Sequence, residues 1–106
     1  MKLEDKKSAF AELGEKLKAI AKNEQWNDLF LQCFHQNGWF TEENVRNAIL
    51  SLGESLHKEK LEKWISKYVN PKSQILNPKS GGVIMAGNVP AVGFHDFLCV
   101  LMSGHQ

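Results

Sequence analysis

Residues 82–105, GVIMAGNVPAVGFHDFLCVLMSGH, carry the most specific prediction of fold class in this chain. Its apolar run from Val83 to Met85 enters a turn rich in glycine and proline, which predicts a short strand. From Phe94, apolar residues recur at the spacing of an amphipathic helix, and Gly104 is placed to end that helix. A strand and then a helix predict half of a βαβ unit, which a second parallel strand would complete. The chain ends at Gln106 instead, so we expect the front end of a larger protein.

The pattern of residues 1–70, N-terminal to this stretch, predicts four helices separated by capping residues. Asn23 can cap the second helix and Thr41 the third, since their side-chain oxygens accept from free backbone N–H groups. Gly53 is expected to end the third helix. Gly14 is the weak point of the first, because glycine costs about 1 kcal/mol relative to alanine inside a helix.

The second helix has the strongest apolar face of the four. Its spacing predicts that this face is buried, and we also expect Trp26, Trp39 and Trp64 to pack in the core. The residues of the face are Trp26, Leu29, Phe30, Cys33 and Phe34.

Composition excludes several classes of protein. A net charge of +1 provides no broad basic surface for nucleic acid, and Arg46 is the single arginine among 13 basic residues. No run is apolar enough for a signal peptide or a membrane span. Cys33 and Cys99 are too few for a disulfide framework, which predicts a reduced, cytoplasmic protein.

Residues 83–96, VIMAGNVPAVGFHD, resemble the corresponding turn of one family. Asn88-Val89-Pro90 is similar to the Asn-x-Pro turn of aldehyde dehydrogenases. The longer string more closely resembles the acyl-CoA reductases, relatives of the fatty-acid reductase subunit of bacterial bioluminescence. Residues 37–41 and 61–64 also resemble the N-terminal helical region of that family, so the resemblance extends over residues 13–105.

The resemblance implies a mainly α fragment of a larger enzyme. Residues 1–70 would be its helical region and residues 71–81 a linker loop. Residues 82–106 would then be the first strand, turn and helix of an aldehyde dehydrogenase-like nucleotide-binding domain of the α/β class, left incomplete.

The resemblance further implies reduction of an acyl-CoA thioester to an aldehyde, with NADP or NAD as the cofactor of the full-length parent. Asn88 would stabilise the oxyanion, and Met85, Ala86 and Gly87 would line the nicotinamide end of the cofactor site. The catalytic cysteine of the family lies downstream of this chain. We therefore expect the 106 residues alone to bind no cofactor and to be inactive.

Each of these residues also has a simpler interpretation. Asn88 can merely stabilise a tight turn, as turn asparagines often do. His95 and Cys99 are one helical turn apart, but a cysteine in an apolar helix is usually a small buried hydrophobe. Cys33-x-His35 lacks a second pair of ligands, so the sequence predicts no metal site.

A second function class accounts for the same residues without an enzyme. The chain would be a small helical protein-interaction module that forms a homodimer through residues 82–105. The unpaired strand and the apolar face of the last helix would provide the contact surface.

Overall fold

The computed structural model describes residues 1–68, 77–87, 89 and 91–105. These residues form five α-helices and no strand, which confirms a mainly helical chain. The helices are α1 (Leu3–Lys22), α2 (Asn27–Gln36), α3 (Glu42–Ser55), α4 (Lys58–Ile65) and α5 (Phe94–Met102), and a 3₁₀ turn (Glu24–Trp26) joins α1 to α2. None of the helices in these described ranges is long and apolar enough to cross a membrane.

The hydrophobic core lies where α1, α4, α5 and the end of α3 meet. Leu56 and Leu61 lie on either side of the start of α4, and both are fully buried. Burial of a leucine side chain contributes about 1.5–3 kcal/mol, so this pair anchors the α3–α4 corner. The buried core consists of Phe10, Leu56, Leu61, Ile65, Leu98 and Met102.

Two glycines allow α1 and α3 to cross at very short range. A Cβ atom added to Gly14 would lie 2.8 Å from the carbonyl oxygen of Gly53, and one added to Gly53 would lie 2.7 Å from the carbonyl oxygen of Gly14. The prediction that Gly53 ends α3 is therefore wrong, because α3 continues to Ser55 and uses this glycine for packing. Gly14 lies within an unbroken α1.

The caps predicted at Thr41 and Gly104 are confirmed, whereas Asn23 caps the 3₁₀ turn before α2 and not α2 itself. Thr41 Oγ1 accepts from the backbone N–H of Asn44 at 3.2 Å. Asn23 Oδ1 accepts from the N–H of Gln25 at 2.9 Å, so it caps the 3₁₀ turn that leads into α2. Gly104 follows α5 with φ +92°, the left-handed conformation that glycine adopts at helix ends.

The apolar face of α2 is not buried as predicted. Phe30 is buried, but Leu29 and Phe34 are exposed and so is Trp39 beyond the helix, at 86%. The reason is that α2 packs mainly against α3, and one neighbouring helix covers only one row of side chains. The expectation that Trp26 and Trp39 pack in the core is also wrong, since both side chains are exposed, whereas Trp64 packs against the core as predicted.

Arg46, the single arginine, joins α3 to the end of α1 and the start of α2. Its guanidinium donates to the carbonyl oxygens of Ala21 at 2.8 Å and Asn23 at 3.2 Å, and to the side chain of Asn27. It also lies 4.4 Å from the ring centre of Phe30. A planar group with five N–H donors can satisfy these partners together, whereas a lysine ammonium cannot.

We expect Arg46→Lys to lower the free energy of unfolding by about 1–3 kcal/mol, because the carbonyl oxygens of Ala21 and Asn23 lose charge-assisted donors. Urea unfolding followed by circular dichroism measures the loss. Lys16→Ala is the control, since Lys16 forms only an exposed ion pair with Glu12 at 2.8 Å and such pairs contribute about 0–1 kcal/mol. Equal losses in the two variants would contradict this role of Arg46.

The short strand predicted at residues 83–86 is not formed. Residues 77–86, as far as they are described, have no regular secondary structure. A strand requires a neighbouring strand for its backbone hydrogen bonds, and the described residues provide none. Of the predicted linker 71–81, residues 71–76 lie outside the described residues.

Candidate functional site

The turn before α5 contains the predicted cofactor-binding residues. Met85 is partly exposed, and its side chain lies against Gly93, where an added Cβ atom would be 2.9 Å from the Met85 Cγ. Ala86 and Gly87 are exposed, and a Cβ atom added to Gly87 would meet nothing within 4 Å. The predicted catalytic residue, Asn88, lies outside the described residues.

Two left-handed residues turn the chain into α5. Ala91 has φ +56° and Gly93 has φ +79°. The N–H of Phe94 donates to the carbonyl oxygen of Ala91 at 3.2 Å, and the N–H of Phe97 donates to that of Gly93 at 3.1 Å. For a residue with a Cβ atom such as Ala91, this conformation costs about 1–2 kcal/mol, so the tight turn is held by the surrounding structure.

α5 is held against α1 at both of its ends. At its start, the ring of Phe10 packs edge-on against Phe94 and Phe97, with ring centres 6.2 and 6.1 Å apart. At its end, the ammonium of Lys6 donates to the carbonyl oxygen of Leu101 at 2.8 Å. A cation there complements the negative end of the helix dipole. These contacts determine which face of α5 turns toward α4.

A pocket of about 370 Å³ lies between α4 and α5. His95 and Cys99 form part of its wall, with Cys99 Sγ 3.5 Å from His95 Nε2. The imidazole also lies against the indole of Trp64, with ring centres 5.8 Å apart. The pocket is lined by Trp64, Ile65, Tyr68, His95, Cys99 and Ser103, a mainly apolar set.

The sequence interpretation of Cys99 as a small buried hydrophobe is therefore incomplete. Cys99 is half-buried, and its thiol contacts an imidazole beside the pocket. The spacing of His95 and Cys99 by four residues was the available signal. The sequence could not show that Trp64 of α4 faces this pair.

Cys33 provides a contrast on α2. It is also half-buried, and in the described part of the chain its sulfur contacts no imidazole. Nor do any three His, Cys, Asp or Glu side chains group as metal ligands within the described residues.

A second groove lies between the end of α1 and the start of α3, beside Thr41 and Arg46. The guanidinium there already binds the carbonyl oxygens of Ala21 and Asn23, and its Nε donates to the carboxylate of Glu42 at 3.0 Å. These contacts neutralise and orient the cation. The groove is therefore less suited to a ligand than the pocket beside α5.

No protein-family model, curated protein or solved structure matches this chain. The motif within residues 83–96 and the arrangement around α5 are therefore the observations that bear on its function.

Proposed function

We propose that this chain is the N-terminal part of an acyl-CoA reductase that uses NADP or NAD. The observation that carries the proposal is the string of residues 83–96, whose sequence has Asn88 and Pro90 shortly before the first residue of α5. In this proposal, residues 1–70 are the helical region that precedes the nucleotide-binding domain.

The turn before α5 supports the proposal through its shape. The exposed backbone at Ala86 and Gly87 carries little side-chain bulk, so a flat ring could approach it closely. Gly93 is required where it stands, since any Cβ atom there would collide with Met85 and would also be strained at φ +79°. Small residues that leave the backbone accessible are consistent with the predicted cofactor site at Met85, Ala86 and Gly87.

The exposure of Ile84 also supports the proposal. This isoleucine is fully exposed and lies in a segment without regular secondary structure. In the proposed enzyme, further strands of the nucleotide-binding domain would pair with the segment and cover the side chain. The apolar run from Val83 to Met85 would then become the strand that its sequence predicts.

In the proposed reaction, the contribution of this chain is electrostatic stabilisation of the negative charge that develops on the substrate. A nicotinamide cofactor would supply the hydride, and a cysteine downstream of this chain would accept the acyl group from CoA. The Asn88 carboxamide would donate a hydrogen bond to the oxygen on which negative charge develops as the carbonyl carbon is attacked. The 106-residue chain alone should therefore reduce no acyl-CoA.

A chimeric enzyme tests this function. Residues 1–106 would replace the corresponding N-terminal region of an active acyl-CoA reductase, and oxidation of NADPH or NADH would be followed with a long-chain acyl-CoA. We expect aldehyde formation by the chimera and none by the isolated chain. A chimera that is folded by circular dichroism and yet inactive, beside an active parent enzyme, would contradict the proposal.

Exposed apolar residues near α5 favour a second candidate, a homodimer through residues 82–105. Ile84 is fully exposed and Phe97 partly so, whereas Leu98 and Met102 are already buried against the core. Leu98 and Met102 therefore need no partner chain to cover them. The surface available for self-association is therefore the segment around Ile84 together with the flank of α5.

If this second candidate is correct, light scattering coupled to size exclusion should give the mass of a dimer at tens of micromolar. Ile84→Lys should then give a monomer, because it places a charge in the contact without touching the core. Leu29→Lys on exposed α2 is the matched control and should leave the dimer intact. A monomeric wild-type chain would exclude the dimer, and dissociation by the control variant would move the contact to α2.

A further inference from the structure

We propose that Cys99 and His95 form an electrophile-reactive thiol site, and that the adjoining pocket binds the hydrocarbon tail of an α,β-unsaturated aldehyde. The site is a covalent modification site on α5. It is independent of the proposed acyl-CoA reductase function.

The first observation is the contact between the two side chains. Cys99 Sγ lies 3.5 Å from His95 Nε2, within the range of a sulfur–nitrogen hydrogen bond. A neighbouring imidazole can accept the thiol proton, and the thiolate rather than the thiol is the nucleophile. The indole of Trp64 packs against the same imidazole and holds it beside the sulfur.

The second observation is the pocket into which the pair opens. Its volume of about 370 Å³ is at the lower end of the range of ligand pockets, about 300–1,000 Å³. Trp64, Ile65 and Tyr68 contribute an apolar wall opposite the thiol. A ligand suited to both parts has an apolar chain and a soft electrophilic carbon at its end.

An apolar α,β-unsaturated aldehyde has these two features, and its reaction with a thiol balances without an oxidant. The sulfur of Cys99 bonds to the β-carbon of the aldehyde as the carbon–carbon π bond breaks. The thiol proton passes to His95 Nε2 and then, through solvent, to the α-carbon. The product is a thioether that retains the aldehyde, and no group leaves.

The second cysteine of the chain, Cys33, is an internal reference for the reactivity of Cys99. Cys33 is half-buried like Cys99, but it lies on α2, away from the pocket-lining residues. A difference in rate between the two thiols therefore reports the imidazole and the pocket, since both cysteines experience the same solution.

The experiment treats the full chain with limiting trans-2-nonenal, reduces the adducts with borohydride and maps the modified peptides by mass spectrometry. We expect Cys99 to react about 10-fold faster than Cys33, because the adjacent imidazole can accept the thiol proton as the sulfur attacks. Acrolein, which has the same reactive group without the tail, should reduce this preference several-fold, because it buries no hydrocarbon in the pocket. Both comparisons use the protein with its wild-type sequence.

Variants then assign the cause. His95→Gln should bring the Cys99 rate down to that of Cys33, while the matched variant His35→Gln should change neither rate. Tyr68→Ala, at an exposed pocket position, should lower the preference for nonenal over acrolein. Equal rates for the two cysteines, or a Cys99 preference that survives His95→Gln in a folded protein, would overturn the thiol–imidazole assignment. Equal preference with nonenal and acrolein would overturn the role of the pocket.

Discussion

Replacing Gly53 by valine is expected to lower the free energy of unfolding by about 3 kcal/mol or more, because the new side chain has no space at the crossing of α1 and α3. An added Cβ atom would lie 2.7 Å from the carbonyl oxygen of Gly14, 2.8 Å from Lys18 Cγ and 3.1 Å from the backbone nitrogen of Lys18. Two of these three atoms belong to the α1 backbone and cannot rotate away. The helices must separate, and the core around Leu56 must separate with them.

Intrinsic helix propensity predicts the opposite sign for Gly53→Ala. Alanine is favoured over glycine in a helix by about 1 kcal/mol, so an isolated α3 would gain stability from this change. In the folded chain we expect a net loss of up to about 2 kcal/mol, since overpacking costs about 1–3 kcal/mol and the propensity gain offsets about 1 kcal/mol of it. The sign of this variant therefore separates local propensity from tertiary contact.

Urea unfolding and thermal unfolding measure both variants. A loss of 3 kcal/mol should lower the melting temperature by about 12–24 °C in a domain of this size. Ser51→Val is the matched control, because it introduces the same side chain at an exposed position of the same helix. If Gly53→Val were as stable as Ser51→Val, the close crossing would be disproved.

Removing the carboxamide of Asn88 is expected to lower kcat by about 10²–10³ in the active chimera, the usual loss for one oxyanion-stabilising donor. The substitution should lower kcat more than it changes KM, since the hydrogen bond strengthens as charge develops on the substrate oxygen. Steady-state kinetics of Asn88→Ala with a long-chain acyl-CoA measures it. The comparison requires conditions in which reduction, rather than product release, limits the rate.

Asn37→Ala is the control for the structural interpretation of Asn88. Asn37 is a turn asparagine whose Oδ1 accepts from the N–H of Trp39 at 3.1 Å. Removing its side chain should weaken this turn without affecting the reaction. We expect unchanged kcat and a small loss of stability from that variant. If Asn88→Ala behaved in the same way, with a lower melting temperature and wild-type turnover, Asn88 would be a turn residue.

Much of the secondary structure could be predicted because its causes are local. The cap at Thr41 and the glycine at position 104 depend on neighbours within a few residues, and both are found where the sequence predicts them. Leu56 and Leu61 also lie close together in sequence, on either side of the α3–α4 corner, and both side chains are buried. Interactions between residues this close in sequence do not depend on how the helices are arranged.

The candidate site was only partly predictable for the same reason. His95 and Cys99 are neighbours on one helix face, which the spacing of four residues shows. Their role depends on Trp64, which reaches them only when α5 packs back onto the α1–α4 core. The periodicity of apolar residues in the sequence does not specify that α5 packs against this core.

Sequence patterns correctly predicted the helical character of the chain and the caps at Thr41 and Gly104, and they supplied the motif at residues 83–96. The packing of the helices makes Gly53 a crossing point and brings Arg46 into contact with three helices, which the sequence did not predict. It also left the apolar face of α2 largely exposed, and no strand formed in the described part of residues 83–86. The physical reason is that a glycine, an arginine or an apolar run has several uses, and the choice among them depends on which distant backbone or side chain lies within contact distance.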